Sequence, residues 1–291
     1  TFNPEPLSLF IDAFIIGEGE ETINNFLDVY NDPSNENLSR KELLFKLAQV
    51  PGVYVPCFYD HIYDENNKLS AIKTNNNVPQ KVSRQWIRDL DAYDGKTVIT
   101  TENTEFNLFL IETSRGCGRH CRFCMAGYCF RKPRHRSLDK LLSYLPQAKN
   151  LNKKVGLMGP AISDYPQINE LCSYIRSQDM PMSVASFRAD SVTQELVDAL
   201  AQSGQRTLTL APEAGSEKIR HIINKGIEEE HLFKSISMGI NAGVKNYRLY
   251  IMVGLPNEDE NDIKAIVDMT ICLKKKKKKL GSKGTLTLSI N

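Results

Sequence analysis

The chain has 291 residues, with 41% hydrophobic and 25% charged residues and a formal net charge of +2. These are ordinary values for a globular protein large enough to bury its own core, and the near-neutral charge selects no polyanionic partner. No apolar run approaches the roughly 20 residues needed to cross a bilayer, and the start has no basic, apolar, small-residue leader. Seven cysteines are an odd number, and Cys117, Cys121, Cys124 and Cys129 crowd together. That pattern excludes an evenly stapled secreted protein and suits metal or redox chemistry in a reducing cytoplasm.

The chain opens on Thr-Phe-Asn-Pro and stops in what reads as mid-strand, so a piece of a longer protein is expected. Leu7 to Ile16 is too short to span a membrane and carries Asp12. Phe14-Ile15-Ile16 predicts a short strand that turns at Gly17-Glu18-Gly19-Glu20 into a helix over 21–30. Ile23, Phe26, Leu27 and Tyr30 recur there at helical spacing. Ser39 is placed to cap a helix through Ala48, with Leu43, Leu44 and Leu47 on one face. Val53 to Val55, Phe58 to Tyr63 and Leu69 to Ile72 predict strands around an Asn-rich turn, and 75–77 reads as loop.

From 106 onward apolar runs alternate with helical runs, as βαβ units require. The expected strands are Leu108 to Glu112, Val155 to Met158, Met182 to Ala185, Thr207 to Leu210, Tyr247 to Val253 and Thr285 to Ile290. The expected helices lie at 138–148, 167–177, 192–202, 217–223, 229–242 and 259–273, the third opened by a capping box of Ser191 with Gln194. Six β/α units are too few for a closed eight-stranded barrel. The expected fold is α/β, a partial (β/α)6 TIM-like barrel behind an N-terminal mixed α/β segment, the tail of a truncated Rossmann-like domain. In such barrels chemistry sits at the carboxyl ends of the strands.

Directly after the first strand comes Thr-Ser-Arg-Gly-Cys117-Gly-Arg-His-Cys121-Arg-Phe-Cys124. Three thiolates on one loop can ligate three irons of a cubane and leave the fourth iron open. Gly116 and Gly118 would let the loop curl, and Arg115, Arg119 and Arg122 would offset the thiolate charge. The competing reading is a structural zinc site, which needs a fourth ligand; only His120, Cys129 or His135 lies close enough in sequence. Cys129 is either a spare thiol or a catalytic one, and Cys57, Cys172 and Cys272 look isolated. The run Arg131 to Arg136 can grip an anionic substrate group, balance charge or form a solvated face. Lys274 to Lys279 suits a helix C-terminus, as a solvated tail or an RNA contact.

The Cys-x-x-x-Cys-x-aromatic-Cys pattern at the top of the first strand resembles the radical S-adenosylmethionine (SAM) superfamily, over 105–291. The resemblance implies a 4Fe–4S cluster on Cys117, Cys121 and Cys124, with SAM chelating the open iron and being cleaved to a 5′-deoxyadenosyl radical. It implies Phe123 near the adenine and a low-potential electron donor such as ferredoxin or flavodoxin. Gly159-Pro160 stands where the superfamily often has Gly-Gly-Glu for the SAM amino group, and that triplet is missing here. Ser186 and Arg188 follow the third strand, and an arginine fork can hold the SAM carboxylate. Glu213 resembles the ribose-binding glutamate of cobalamin-associated members, and Gly254-Leu255-Pro256 their turn beside the adenine. Each has a local alternative: Glu213 as a helix N-terminal carboxylate, Arg188 as a surface partner of Asp190, Gly254 as a plain turn.

Pro4 to Tyr30 resembles the junction after a cobalamin-binding domain in that branch. The expected division is therefore 1–30 as the end of such a domain, 31–105 as a mixed linker and 106–291 as the barrel. Cobalamin would belong to the parent protein, since no Asp-x-His-x-x-Gly segment is present. The expected activity is radical SAM chemistry, with methyl transfer first, methylthiolation of RNA or protein second, and a non-catalytic zinc or nucleic-acid module third.

Overall fold

The computed structural model describes residues 3–75, 77–98 and 107–291. The chain forms two compact units, Thr1–Arg88 and Asp89–Asn291. The expected boundary at 105/106, and Asn76 of the expected loop, lie outside the described residues.

In the first unit, β1 (Phe14–Ile15) leads into α1 (Gly19–Tyr30), α2 (Arg40–Leu47) and β2 (Val53–Tyr54), which pairs antiparallel with β1. The turn between β1 and α1 requires Gly17: its φ is +121°, and a Cβ there would lie 2.1 Å from the carbonyl oxygen of Gln85. Ser39 caps α2 with its hydroxyl while its own N–H donates to Glu42 at 2.8 Å, a complete capping box. β3 (Tyr59–Tyr63) and β4 (Leu69–Thr74) form a hairpin, with Asn67 at φ +57° in its turn. Helix α1 presents a different face from the expected one. Thr22, Phe26 and Val29 turn inward, whereas Ile23, Leu27 and Tyr30 are exposed. Two apolar stripes overlap on this helix, and periodicity alone cannot choose between them.

The second unit runs β5 (Leu108–Glu112), β6 (Ser114–Arg115), α3 (Ala126–Cys129), β7 (Arg134–His135), α4 (Leu138–Asn150), β8 (Lys154–Met158), α5 (Ile168–Ser177) and β9 (Met182–Ser183). It continues through α6 (Gln194–Gln202), β10 (Thr207–Glu213), α7 (Glu217–Ile222), α8 (Glu229–Asn241), β11 (Asn246–Ile251), α9 (Glu260–Lys279) and β12 (Leu286–Ile290). Strands β5, β8 and β9 pair in parallel, as do β10, β11 and β12. A parallel bridge between Phe187 and Leu210 joins the two sets. The six expected strands therefore lie side by side in chain order. Among the described residues β12 does not pair back to β5, so the barrel is open.

Strand residues such as Ile111, Leu157, Leu210 and Leu249 meet helix residues such as Leu141, Leu171, Leu200 and Ile236 in one core. Each such side chain contributes about 1.5–3 kcal/mol by leaving water. Two end-of-helix details differ from expectation. Thr193, not Ser191, caps α6 by accepting from the Leu196 N–H. Ser191 is diverted to Ser163, their hydroxyls 2.8 Å apart. The lysine run forms the last turns of α9 rather than a solvated tail, and Lys277 is 3% exposed. Its ammonium donates to the carbonyls of Lys245 and Gly284, tying the helix end to the approach of β12.

Gly215 sits where the β10 end meets α9, and a Cβ there would lie 2.2 Å from the backbone nitrogen of Ile266. Backbone cannot yield as a side-chain tip can. Gly215→Ala is expected to cost about 1–3 kcal/mol, read as a lowered urea midpoint with an unchanged m-value.

Candidate active site at the strand ends

Parallel strands put all their carboxyl ends on one side, and the cysteine loop begins there. Beyond Glu112 the chain forms the two-residue ribbon β6–β7, pairing Ser114 with His135 and Arg115 with Arg134. The loop between them carries the three cysteines. Gly116 has φ +86°, and a Cβ there would strike the Phe130 carbonyl at 2.3 Å. Gly118 is not needed for the curl, since its Cβ would make only an ordinary contact with Pro133. The glycine that is needed instead is Gly127, whose Cβ would come within 2.2 Å of the Arg119 carbonyl.

Cys121 is buried, and Cys117 and Cys124 are half-buried. The loop is pinned to the segment after α7: the Arg122 N–H donates to Ile223 O at 2.9 Å, and the Asn224 amide to His120 O at 2.8 Å. Among the described residues no three His, Cys, Asp or Glu side chains converge closely enough to hold a single metal ion. His120 turns its ring edge toward Tyr128, and His135 toward Tyr165. A cubane spreads three thiolates over three irons, so its ligands need only face a common space. The donor set fits such a cluster: three thiols on one loop, with N–H groups aimed at two of them. The Arg119 backbone N–H is 3.4 Å from Cys117 Sγ, and Arg188 Nη1 is 3.6 Å from Cys121 Sγ.

The loop arginines make their hydrogen bonds to carboxylates and a carbonyl. Arg115 forks onto Glu112 at 2.8 and 3.0 Å. Arg119 forks onto Asp164 at 2.8 Å and reaches Asp190 at 3.0 Å. Arg122 donates to the Ile222 carbonyl. The Asp164 hydrogen bond holds the Arg119 guanidinium above its usual range against burial. Burial alone would raise Asp164; hydrogen bonds from Arg119 and Ser191 and the charges of Arg119 and Arg188 outweigh it, so the carboxyl lies below the usual range. Of the basic loop, Arg134 and Arg136 are buried, whereas Arg131, Lys132 and His135 are exposed. Arg136 is wholly buried and donates to Leu90 O, Tyr93 O and Glu112.

The other expected residues fall as follows. Gly159, after β8, is half-buried, and a Cβ there would lie 2.7 Å from Ser114 Oγ. Ser186 is exposed beyond β9. Arg188 is buried rather than superficial, and its fork closes on Asp190 at 3.0 and 3.0 Å. Glu213 ends β10 at φ +70°, a left-handed conformation that costs a non-glycine residue energy. Its Oε1 accepts from Lys225 Nζ at 3.0 Å. The same ammonium lies 5.6 Å from the centre of the Phe123 ring, a cation–π distance. Phe123, Met125, Met158 and Val253 stay exposed. Gly254 is exposed at φ +79°, its N–H bonded to Glu258 at 2.6 Å. Cys57 and Cys272 are exposed, and Cys172 lies in the core, where burial pushes its thiol up to about 12.

Sequence reading missed Asp164, Asp190 as a half-buried partner, and Lys225. Only Asp190 left a signal, its position two residues after Arg188.

Comparison with known proteins agrees with this geometry. The family model described as "Radical SAM superfamily" matches residues 111–270, and "Radical SAM proteins, N-terminal" matches 1–56. An uncharacterised protein of Methanocaldococcus jannaschii is 33% identical over 277 residues, 94% of this chain and 54% of that one. A second protein of that archaeon, described provisionally as a methylthiotransferase, is 25% identical over 267 residues, 87% of this chain and 51% of its own length. The chain thus spans about half the length of these relatives. The structure of TsrM from Kitasatospora setae, a radical SAM methyltransferase with cobalamin and a [4Fe-4S] cluster bound, superposes with a TM-score of 0.63 at 14% identity, over 98% of this chain and 53% of that one. That likeness is one of fold. With the superfamily model covering more than half of its residues and the cysteine loop at the head of an open six-stranded barrel, the chain belongs to the radical SAM superfamily.

Proposed function

We propose that Cys117, Cys121 and Cys124 hold a 4Fe–4S cluster at which the protein reductively cleaves SAM to a 5′-deoxyadenosyl radical, with methyl transfer as the reaction served. The observation that carries this reading is the placement of three cysteines on one pinned loop directly beyond the first strand of the open barrel. When bound, such a cluster supplies one low-potential electron and one iron free of protein ligands, the chelation point for SAM.

The protein's part is to bind and orient. The exposed Phe123 ring offers the adenine a stacking face. Glu213 accepts from the ribose hydroxyls, with Lys225 holding its carboxylate in place. Gly159 lies beside the Thr113 and Ser114 side chains just past the first strand end, and its backbone carbonyl serves the amino group. Ser186 and Gly254 follow other strand ends, and the exposed apolar Met125, Met158 and Val253 are available to cover the bound nucleoside. A ferredoxin- or flavodoxin-type protein delivers the electron in a reducing cytoplasm. In the whole protein a bound cobalamin would supply the methyl group, as the resemblance of the N-terminal junction to that of cobalamin-associated members suggests.

Methylthiolation is the second reading, favoured by the relative described provisionally as a methylthiotransferase. It needs a second cluster, and Cys57, Cys172 and Cys272 are scattered over the surface and core. Anaerobic reconstitution of the full-length protein with iron and sulfide, followed by dithionite and SAM, is expected to yield methionine and 5′-deoxyadenosine. Uptake of a single zinc with SAM left intact would sink the proposal. Bound corrinoid separates the first reading from the second.

A further inference from the structure

The two sulfurs with nearby N–H groups are linked through charged side chains. Arg119, on the cysteine loop, lies beside Cys117, and its guanidinium reaches Asp190 at 3.0 Å. Asp190 receives the fork of Arg188 at 3.0 and 3.0 Å. Arg188 Nη1 returns to the loop 3.6 Å from Cys121 Sγ, and Nη2 is fixed again by Lys225 O at 2.5 Å. Asp164 braces Arg119 from the far side at 2.8 Å. The side chains of Arg188 and Asp190 are 10% and 11% exposed. Two arginines and two aspartates balance in charge, so what remains at Cys121 is an oriented donor that cannot swing away.

We propose that Arg188 is a positioning residue that donates an N–H···S hydrogen bond to Cys121 and thereby raises the reduction potential of the cluster. The inference rests on the reading of Cys121 as a cluster ligand. Hydrogen bonds to cluster sulfurs and solvent exposure set the potential, because a fixed donor stabilises the more negatively charged reduced form. A guanidinium suits the task better than an ammonium. Its planar fork satisfies Asp190 with Nε and Nη2 and leaves Nη1 pointing elsewhere in a set direction. The same commitment leaves no free fork for the SAM carboxylate.

The test compares full-length wild type, Arg188→Lys, Arg188→Gln and Asp190→Asn, each reconstituted anaerobically, by iron content and an EPR-monitored redox titration. Arg188→Gln is expected to lower the reduced-to-oxidised ratio at fixed potential about tenfold, a downward shift of about 59 mV for one electron. Arg188→Lys falls between, keeping the charge but losing the fork. Asp190→Asn loosens Arg188 but also removes a negative charge, which by itself raises the potential, so a downward shift in this variant reports loss of the oriented Arg188 donor. If Arg188→Gln does not load iron, the Lys and Asn variants decide the potential. Iodoacetamide labelling of the apo-proteins then asks whether Cys121 alone changes its rate, with Cys124 as the internal reference. A fully loaded Arg188→Gln protein with wild-type potential overturns this inference alone, as does an unmoved potential in both other variants together with unchanged Cys121 labelling. A wild-type protein that binds no cluster overturns the functional reading, and this inference with it.

Discussion

Cys121→Ala is expected to lose its iron and sulfide and to bring reductive SAM cleavage down by more than about 100-fold, and Cys117→Ala and Cys124→Ala should do the same. Removing mere supporting partners of metal ligands already costs about 10–100-fold, and here a ligand itself is lost. The histidines nearest the loop are engaged elsewhere. His120 and His135 face tyrosine rings, and Arg119 and Arg188 are tied to carboxylates. Cys57→Ala and Cys272→Ala are the controls, because both thiols are exposed and surface changes stay within about 0.5 kcal/mol. Iron and sulfide content, the EPR signal after dithionite and the yield of 5′-deoxyadenosine read the outcome. Wild-type iron and turnover in Cys121→Ala would remove the basis of the proposed chemistry.

Arg136→Met should destabilise the barrel by about 3–5 kcal/mol, a large share of the 5–15 kcal/mol typical of a domain, and lower its melting temperature by roughly 10 °C. The Arg136 side chain is 0% exposed and serves Leu90 O, Tyr93 O and the Glu112 carboxylate at the end of β5. Methionine fills much of the space and satisfies none of these acceptors. The pH dependence follows from Glu112. Burial alone would raise its pKa, but hydrogen bonds and charges from Arg115 and Arg136 outweigh burial and hold it below the ordinary 4.5. A depressed carboxylate stabilises the fold fully above that value and loses its contribution as pH falls through the folded pKa. The gap between wild type and Arg136→Met should therefore be widest near neutrality and narrow below about pH 4.5. Thermal melts across that range check both statements, and a melting temperature unchanged at pH 7 would refute the assignment of Arg136 to the core.

Arg136 also shows why the sequence left the role of the basic loop open. Four arginines and lysines within the run Arg131 to Arg136 fit an anion grip, charge balance or a solvated face equally, because a string of letters carries no depth. Whether a guanidinium meets solvent or buried backbone carbonyls depends on chain 40 or more residues away, as the separations to Leu90 and Tyr93 show. Arg188 was legible as a strand-end arginine, but Cys121 is 67 residues distant, and no local pattern announces that pair. Ser191 fits a cap by spacing, but its hydroxyl meets Ser163 and Thr193 caps the helix instead. On α1 two apolar stripes competed, and the partner surface selected the one holding Phe26 and Val29.

By itself the sequence determined the six strands and their helices, the cysteine loop and the family, since each is written in short-range features: alternating periodicity, capping residues and a fixed thiol spacing. Only the tertiary structure decided which charges are neutralised, which face of a helix is buried and which donor meets which sulfur. Those outcomes rest on pairings between distant segments, whose energies come from desolvation and geometry that form only once the strands lie side by side.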